Sequence, residues 1–188
     1  MTSIYDETFQ HKTLTNNELT GKTFEGCSFF NCSFAECRLE FGDFIDCEFI
    51  TCDFSNVFIN DYGLKGVRFK GCKLMGFNFN HCKDFLFQVK FEDCQLDYAI
   101  FTRCKLKKTQ FDHCSIKEAD FSGCDLTEAK FKDSLLSGSL FDRCILAKAD
   151  FQTAIDFSIN PENNNMKGAI FSADNLAGLV RHLNIRIN

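Results

Sequence analysis

Large apolar residues recur at every fifth position through the middle of this chain. Counting from Phe91 in fives gives Leu96, Phe101, Leu106, Phe111, Ile116, Phe121, Leu126, Phe131, Leu136, Phe141, Leu146 and Phe151, thirteen positions without a slip. Two residues before each stands a shorter side chain: Val89, Cys94, Ala99, Cys104, Thr109, Cys114, Ala119, Cys124, Ala129, Ser134, Ser139, Cys144 and Ala149. Such a period fits neither a helix, at ~3.6 residues per turn, nor a strand, at about 2. It demands a repeat architecture. A unit with two inward positions cannot bury itself, so its apolar edge must be stacked on neighbouring copies.

A second period, of ten, runs through the same block. Phe centres follow Val, Ala, Thr or Ser, whereas Leu and Ile centres follow Cys, with Ser134 before Leu136 as the exception. If four units close one coil, two opposite faces carry Phe and the other two carry Leu plus Cys. Large with small and medium with medium keep each layer at one volume, as close packing requires.

The unit resembles the consensus of the pentapeptide-repeat family: a small residue, a polar residue, Leu or Phe, then two polar residues. Val89-Lys90-Phe91-Glu92-Asp93 and Ala119-Asp120-Phe121-Ser122-Gly123 are clear cases. The resemblance implies an all-β fold, a right-handed quadrilateral β-helix in which four repeats make one coil. The same frame reaches back through an earlier block, Phe24 to Phe79, where Tyr62 and Phe77 fill the small position. Their bulk is expected to distort the coil locally. Phe30, Phe41, Ile45 and Ile50 fall on outward positions, either scattered surface apolars or a partner patch.

The whole chain of 188 residues reads as a single repeat domain. Residues 1–20 keep the spacing, but Glu7, Lys12 and Asn17 occupy the small position. They are costly to bury, so a polar cap with one strand is expected there. The first block spans 21–79 and the second 91–153, with a frame break at 80–90 between them. Phe79 and Phe91 are twelve apart, which places two extra residues on one face. Phe85 and Phe87 are not both expected to fit inside, and either a packing irregularity or a projecting contact loop results. The module at 154–188 begins with a non-repeating turn, Ile155 to Pro161 in position, and continues into a helix. Ser172 caps it, and Leu176, Leu179, Val180 and Leu183 follow at i, i+3, i+4 and i+7. Ile185, Arg186 and Ile187 alternate like a short strand. A capping and dimerisation helix is therefore expected, with Leu176, Leu179, Val180, Leu183, Ile185 and Ile187 at a homodimer interface.

The twelve cysteines all fall in the small position. Zinc ligands pair at gaps of roughly two to four residues, which multiples of five do not supply, so no metal is expected. No N-terminal basic stretch leads into an apolar run, and no apolar run reaches the ~20 residues of a membrane helix. A cytoplasmic location with reduced, core-packing thiols is expected, with no cofactor, no nucleic acid and no membrane. The histidines, His11, His81, His113 and His182, are far apart, and no phosphate loop or nucleophile elbow appears. An enzyme is not expected.

The C-terminal module, the frame break and the cysteine-rich first block together resemble one subgroup, the topoisomerase-protecting pentapeptide proteins. These are the plasmid quinolone-resistance (Qnr), mycobacterial fluoroquinolone-resistance and albicidin-resistance proteins. The resemblance implies a DNA-mimicking dimeric rod that binds DNA gyrase or topoisomerase IV and protects it from a quinolone-type drug or a poisoning toxin. The alternative is a repeat scaffold for another protein partner. Candidate contact residues are Asp84, Phe85 and Phe87 in the break, and Glu92, Asp93, Asp112 and Asp133 on one expected face. Residues 1–63 hold eleven acids against three Lys or Arg, whereas 64–148 hold eleven against fifteen. The acidic surface is thus concentrated in the N-terminal third, and B-DNA, with a charge every ~1.7 Å, is far denser; this weakens pure mimicry and leaves room for a loop-mediated contact.

Overall fold

A computed structural model describes residues 2–183, 185 and 186. Within each repeat the chain runs in, out, in along a face, then turns a corner. Corner residues take left-handed backbone, as at Asn31 (φ 50°), Asp93 (φ 54°) and Gly123 (φ 70°). That region admits Gly freely and Asn or Asp at modest cost, which explains the polar residue closing each unit. Even Phe41 and Tyr98 adopt it, at φ 58° and 62°.

Four faces result, each a parallel ladder. Face I joins β1 (Thr2–Tyr5), β3 (Lys22–Glu25), β6 (Asp43–Ile45) and β9 (Gly63–Lys65). Face II joins β2 (Thr8–Gln10), β4 (Ser28–Phe30), β7 (Glu48–Ile50), β10 (Val67–Lys70), β11 (Val89–Glu92) and β12 (Phe111–Asp112). Face III is held by bridges such as Ser33 to Asp53 and Gln95 to Ser115. Face IV pairs β5 (Arg38–Glu40) with β8 (Phe58–Asn60), then continues as bridges from Asn78 to Ile100 and beyond. The molecule is a β-solenoid.

Its interior is a set of ring columns. On face II, Phe9, Phe29, Phe49, Phe69, Phe91, Phe111, Phe131, Phe151 and Phe171 stack in sequence at 4.7–5.4 Å between centroids. Opposite them, Phe79, Phe101, Phe121 and Phe141 stack at 4.5–5.0 Å on face IV. The ten-residue alternation therefore has the spatial meaning expected of it. All twelve cysteines are free, and eleven are buried. Their thiols donate to backbone carbonyls, as Cys47 Sγ does to Phe24 O at 3.3 Å.

Three local expectations need correction. Residues 1–20 contain two strands and a helical turn, α1 (Asn16–Leu19), rather than one strand. The ladder needs only backbone, so β1 pairs with β3 and β2 with β4, while Glu7, Lys12 and Asn17 stay exposed. Leu14 and Leu19 are buried in the first coil, with Ile4 and Phe9 partly buried against the core. Tyr62 does not distort its coil either. It is fully buried, its hydroxyl donates to Lys22 O at 3.0 Å, and Gly42 leaves the space: a Cβ there would stand 2.5 Å from the ring. Phe77 packs at 4.5 Å on Phe79, and here the expected local distortion is seen: among the described residues no rung joins Phe58 to Asn78, and Phe79–His81 turn as a 3-10 helix. The C-terminal helix is the third correction and is taken up below. Among the described residues, no helix is long and apolar enough to cross a membrane.

Candidate interaction surfaces

The frame break is an outward bulge on face I. Residues Phe79–His81 form one turn of 3-10 helix, and Cys82 still bridges Tyr62. The chain returns to the ladder at Val89, paired with Val67. The insertion thus lies between Cys82 and Val89. Phe87 N donates back to Asp84 O at 3.4 Å and Gln88 N to Leu64 O at 2.9 Å, closing the bulge. Leu86 sits at its tip with φ 58°.

Within the bulge, Asp84 is exposed and Phe85 and Leu86 are 71% and 64% exposed. Phe87 turns inward, half-buried, with its ring 6.5 Å from Phe79 in an edge-on arrangement. Only one of the two phenylalanines fits inside. The bulge is anchored from below by Asp43, a buried carboxylate that pairs with Lys65 at 2.8 Å and with Lys83 at 3.5 Å. Lys83 Nζ also donates to Gly42 O at 3.0 Å. A buried charge is tolerable only when paired, so this clip fixes where the bulge leaves the coil. The position of Asp43 in an outward slot gave no hint of burial. The two lysines that cover it lie 22 and 40 residues further on.

Glu92, Asp93, Asp112 and Asp133 do share face II and its corner, with Glu92 and Asp112 as ladder partners. They are not a bare acidic strip. Lys70 lies 2.8 Å from Glu92 and its hydrogen bond holds that carboxyl below the usual range; His113 lies 3.3 Å from Asp133. Asp84 and Phe85 belong to face I, so the two groups of candidates occupy adjoining faces.

The C-terminal end differs most from expectation. Ala173–Leu179 and Arg181–Leu183 are 3-10 helices, not one α-helix. At about three residues per turn, the stripe through Leu176, Leu179, Val180 and Leu183 does not form. Leu179 packs against the core and Val180 is half-buried, whereas Leu176 and Leu183 are about half exposed, at 49% and 55%. Ile185 is 58% exposed and lies outside any strand, as does Arg186; Ile187 lies outside the described residues. The helix is tied down by Asn175, whose Nδ2 donates to Phe151 O at 2.8 Å and whose Oδ1 accepts from Ser172 N at 3.1 Å. Asp156 accepts from the Ser137 hydroxyl and pairs with Arg181, and the two, Ser137 foremost, hold that carboxyl below the usual range. Gly178 lies on Phe157, where any Cβ would stand 2.4 Å from the ring. The turn before it is no mere connector, since Phe157 and Ile159 are fully buried.

Around this end the outward positions turn aliphatic. Leu140, Ile145, Ile155 and Ile170 are 51%, 42%, 51% and 43% exposed, one on each of the four faces. Lower coils carry polar residues at most of these positions.

The sequence matches the pentapeptide repeat region over residues 42–118 and 97–171. The chain belongs to the pentapeptide-repeat family. No curated protein matches it. Among solved structures it is similar to HetL, a pentapeptide repeat protein involved in heterocyst differentiation regulation from the cyanobacterium Nostoc sp. strain PCC 7120. The identity is 15%, with TM-score 0.55 over 91% of this chain and 86% of that one. It is also similar to QnrB1, a plasmid-mediated fluoroquinolone resistance protein, at 18% identity and TM-score 0.44 over 97% of this chain and 100% of that one. Likeness at these identities concerns the fold.

Proposed function

We propose that this chain is a non-enzymatic binding rod that pairs with a second copy through its C-terminal end and engages a type II topoisomerase. The observation that carries the binding role is where apolar surface is exposed. Phe85 and Leu86 project from the insertion between Cys82 and Val89, and the aliphatic collar surrounds the C-terminal end. Aromatic anchors of this kind dominate protein interfaces, and loops carry function more often than the scaffold beneath them. The resemblance of the sequence to the topoisomerase-protecting subgroup supports DNA gyrase or topoisomerase IV as the partner, and protection from a quinolone-type drug or toxin as the outcome.

The test is supercoiling of relaxed plasmid by gyrase, with and without a quinolone, across a titration of the protein. Restored supercoiling in the presence of drug is expected. Inhibition unchanged for gyrase and for topoisomerase IV would sink the topoisomerase reading. Pairing is tested by light scattering at micromolar concentration, where a dimer is expected, and removal of residues 172–188 should give a monomer or an aggregate. The charge pattern favours a second reading, a scaffold for another protein partner, because the upper coils are basic where a DNA mimic should be acidic.

A further inference from the structure

The bulge leaves a gap in face I. On the other three faces the ladder crosses the insertion without loss, through Val67 to Val89, Lys73 to Gln95 and Asn78 to Ile100. On face I the rung from Tyr62 to Cys82 is followed by that from Lys105 to Asp125, and no rung joins residues 82–88 to Lys105. A notch of about 950 Å³ opens there. Its wall is apolar at Ile45, Leu86 and Phe87, and cationic at Lys65, Arg103 and Lys105.

The cations are unequally engaged. Lys107 and Lys108 line the notch too; Lys65 is held by Asp43, Lys107 by Asp125 at 3.2 Å and Lys108 by Glu128 at 3.8 Å. Among the described residues, neither Arg103 nor Lys105 has a carboxylate at ion-pair distance. The two line the notch without an ion-pair partner among those residues.

We propose that this notch binds an extended acidic peptide segment that carries an apolar anchor. The anchor would lie on Ile45, Leu86 and Phe87, and flanking carboxylates would meet Arg103 and Lys105. Charge complementarity chooses a peptide over nucleic acid. Asp46, Asp84 and Asp125 also line the notch, and they repel a phosphate backbone that presents a charge every ~1.7 Å. A peptide can place its carboxylates only where the cations are. The site is a property of this chain and holds whichever protein supplies the segment, so it stands or falls separately from the topoisomerase reading.

The probe is an acetylated, fluorescein-labelled peptide of alternating Glu and Leu or Phe, titrated with the full-length protein at low salt and followed by anisotropy. Saturable binding is expected. The Arg103→Glu, Lys105→Glu variant should weaken it at least about tenfold, and Leu86→Ser should weaken it less. Lys167→Glu, on the same face beyond the notch, should leave it unchanged. A peptide with Gln in place of Glu should not bind. Unchanged melting of each variant establishes that the fold is intact. No saturation up to millimolar protein overturns the proposal, as does binding indifferent to Arg103 and Lys105. So does a DNA duplex that binds as tightly with the same dependence on those two residues.

Discussion

The two repeat blocks enclose the same square interior by different means. Residues 91–153 alternate: Phe with Ala, Ser, Thr or (at Phe91) Val on two opposite faces, and Leu or Ile with Cys on the other two, Ser134 before Leu136 excepted. Their Phe columns meet edge to face, as Phe111 and Phe121 do at 5.9 Å and 89°. In the first block, residues 21–60 place inward Phe on three adjoining faces, so Phe44, Phe49 and Phe54 pack edge-on at 4.9 and 5.2 Å. There, Cys sits beside Phe, and the excess volume is absorbed by Leu39 and Ile59 on the fourth face. Tyr62 takes this furthest, filling a small position because Gly42 beneath it is empty and its own centre is Leu64. The layer conserves volume, not residue identity. In the second block the repeats stacked on one face are alike, whereas in the first the residues are matched in pairs across coils.

The largest effect tests what the blocks share. Phe121→Ala and Phe49→Ala should each cost roughly 3–5 kcal/mol as truncations in a stacked column, read by urea denaturation. An unchanged midpoint for either would break the column assignment. The next test separates the blocks. Gly42→Ala should destabilise by about 1–3 kcal/mol, since a Cβ would stand 2.1 Å from Lys22 O and 2.5 Å from Tyr62. In the second block the reverse change, Ala119→Gly, is the one that destabilises, by about 0.5–1 kcal/mol. Destabilisation by both directions of the exchange would sharpen the contrast, and stabilisation by either would remove it.

The cysteines give a test that spans both blocks. Burial pushes the thiols of Cys47 and Cys104 up to about 12, against about 8.5 in an unfolded chain. A raised folded value means that their contribution is complete below the unfolded value and lost as pH rises through the folded one. The urea midpoint should therefore be level up to about pH 8 and fall between about pH 9 and 12. A level profile throughout that range would contradict buried thiols. In the native protein, a thiol reagent should reach Cys82 at the break first, because it alone is incompletely buried. Denatured protein should show all twelve as free. The smallest effect belongs to the bulge itself. Leu86→Asn should stabilise slightly, by about 0.5 kcal/mol or less, because Asn tolerates left-handed backbone better than Leu.

The fold was legible because a period of five leaves a chain few alternatives, and the phase slip between Phe79 and Phe91 located the insertion. Compensation across coils was not legible. Gly42 and Tyr62 are twenty residues apart, so a linear reading sees an oversized residue and misses the space made for it. The same holds for Asp43, buried only once Lys65 and Lys83 fold over it. At the C-terminus, helical periodicity pointed to an α-helix. Gly178 must seat on Phe157 and Asn175 must reach Phe151 O, and the tighter 3-10 turn results. A glycine inside the apolar stripe was the available signal. For the candidate surfaces, the sequence located the break but not which phenylalanine leaves it, and it found the acids of face II without the bases that neutralise them.

The central claim is that the regular coils are scaffold and the break is where the partner is engaged. The most direct measurement compares two triple variants as protectors of gyrase against a quinolone in the supercoiling assay, each first checked for unchanged melting and oligomeric state. One replaces Asp84, Phe85 and Leu86 by Ser; the other replaces Met75, Tyr98 and Lys117 by Ser, exposed residues of the regular coils on face III and its corner. The account predicts that the face III variant protects at wild-type concentrations and that the break variant does not. Equal protection by both would contradict it and move the contact to the acidic N-terminal coils.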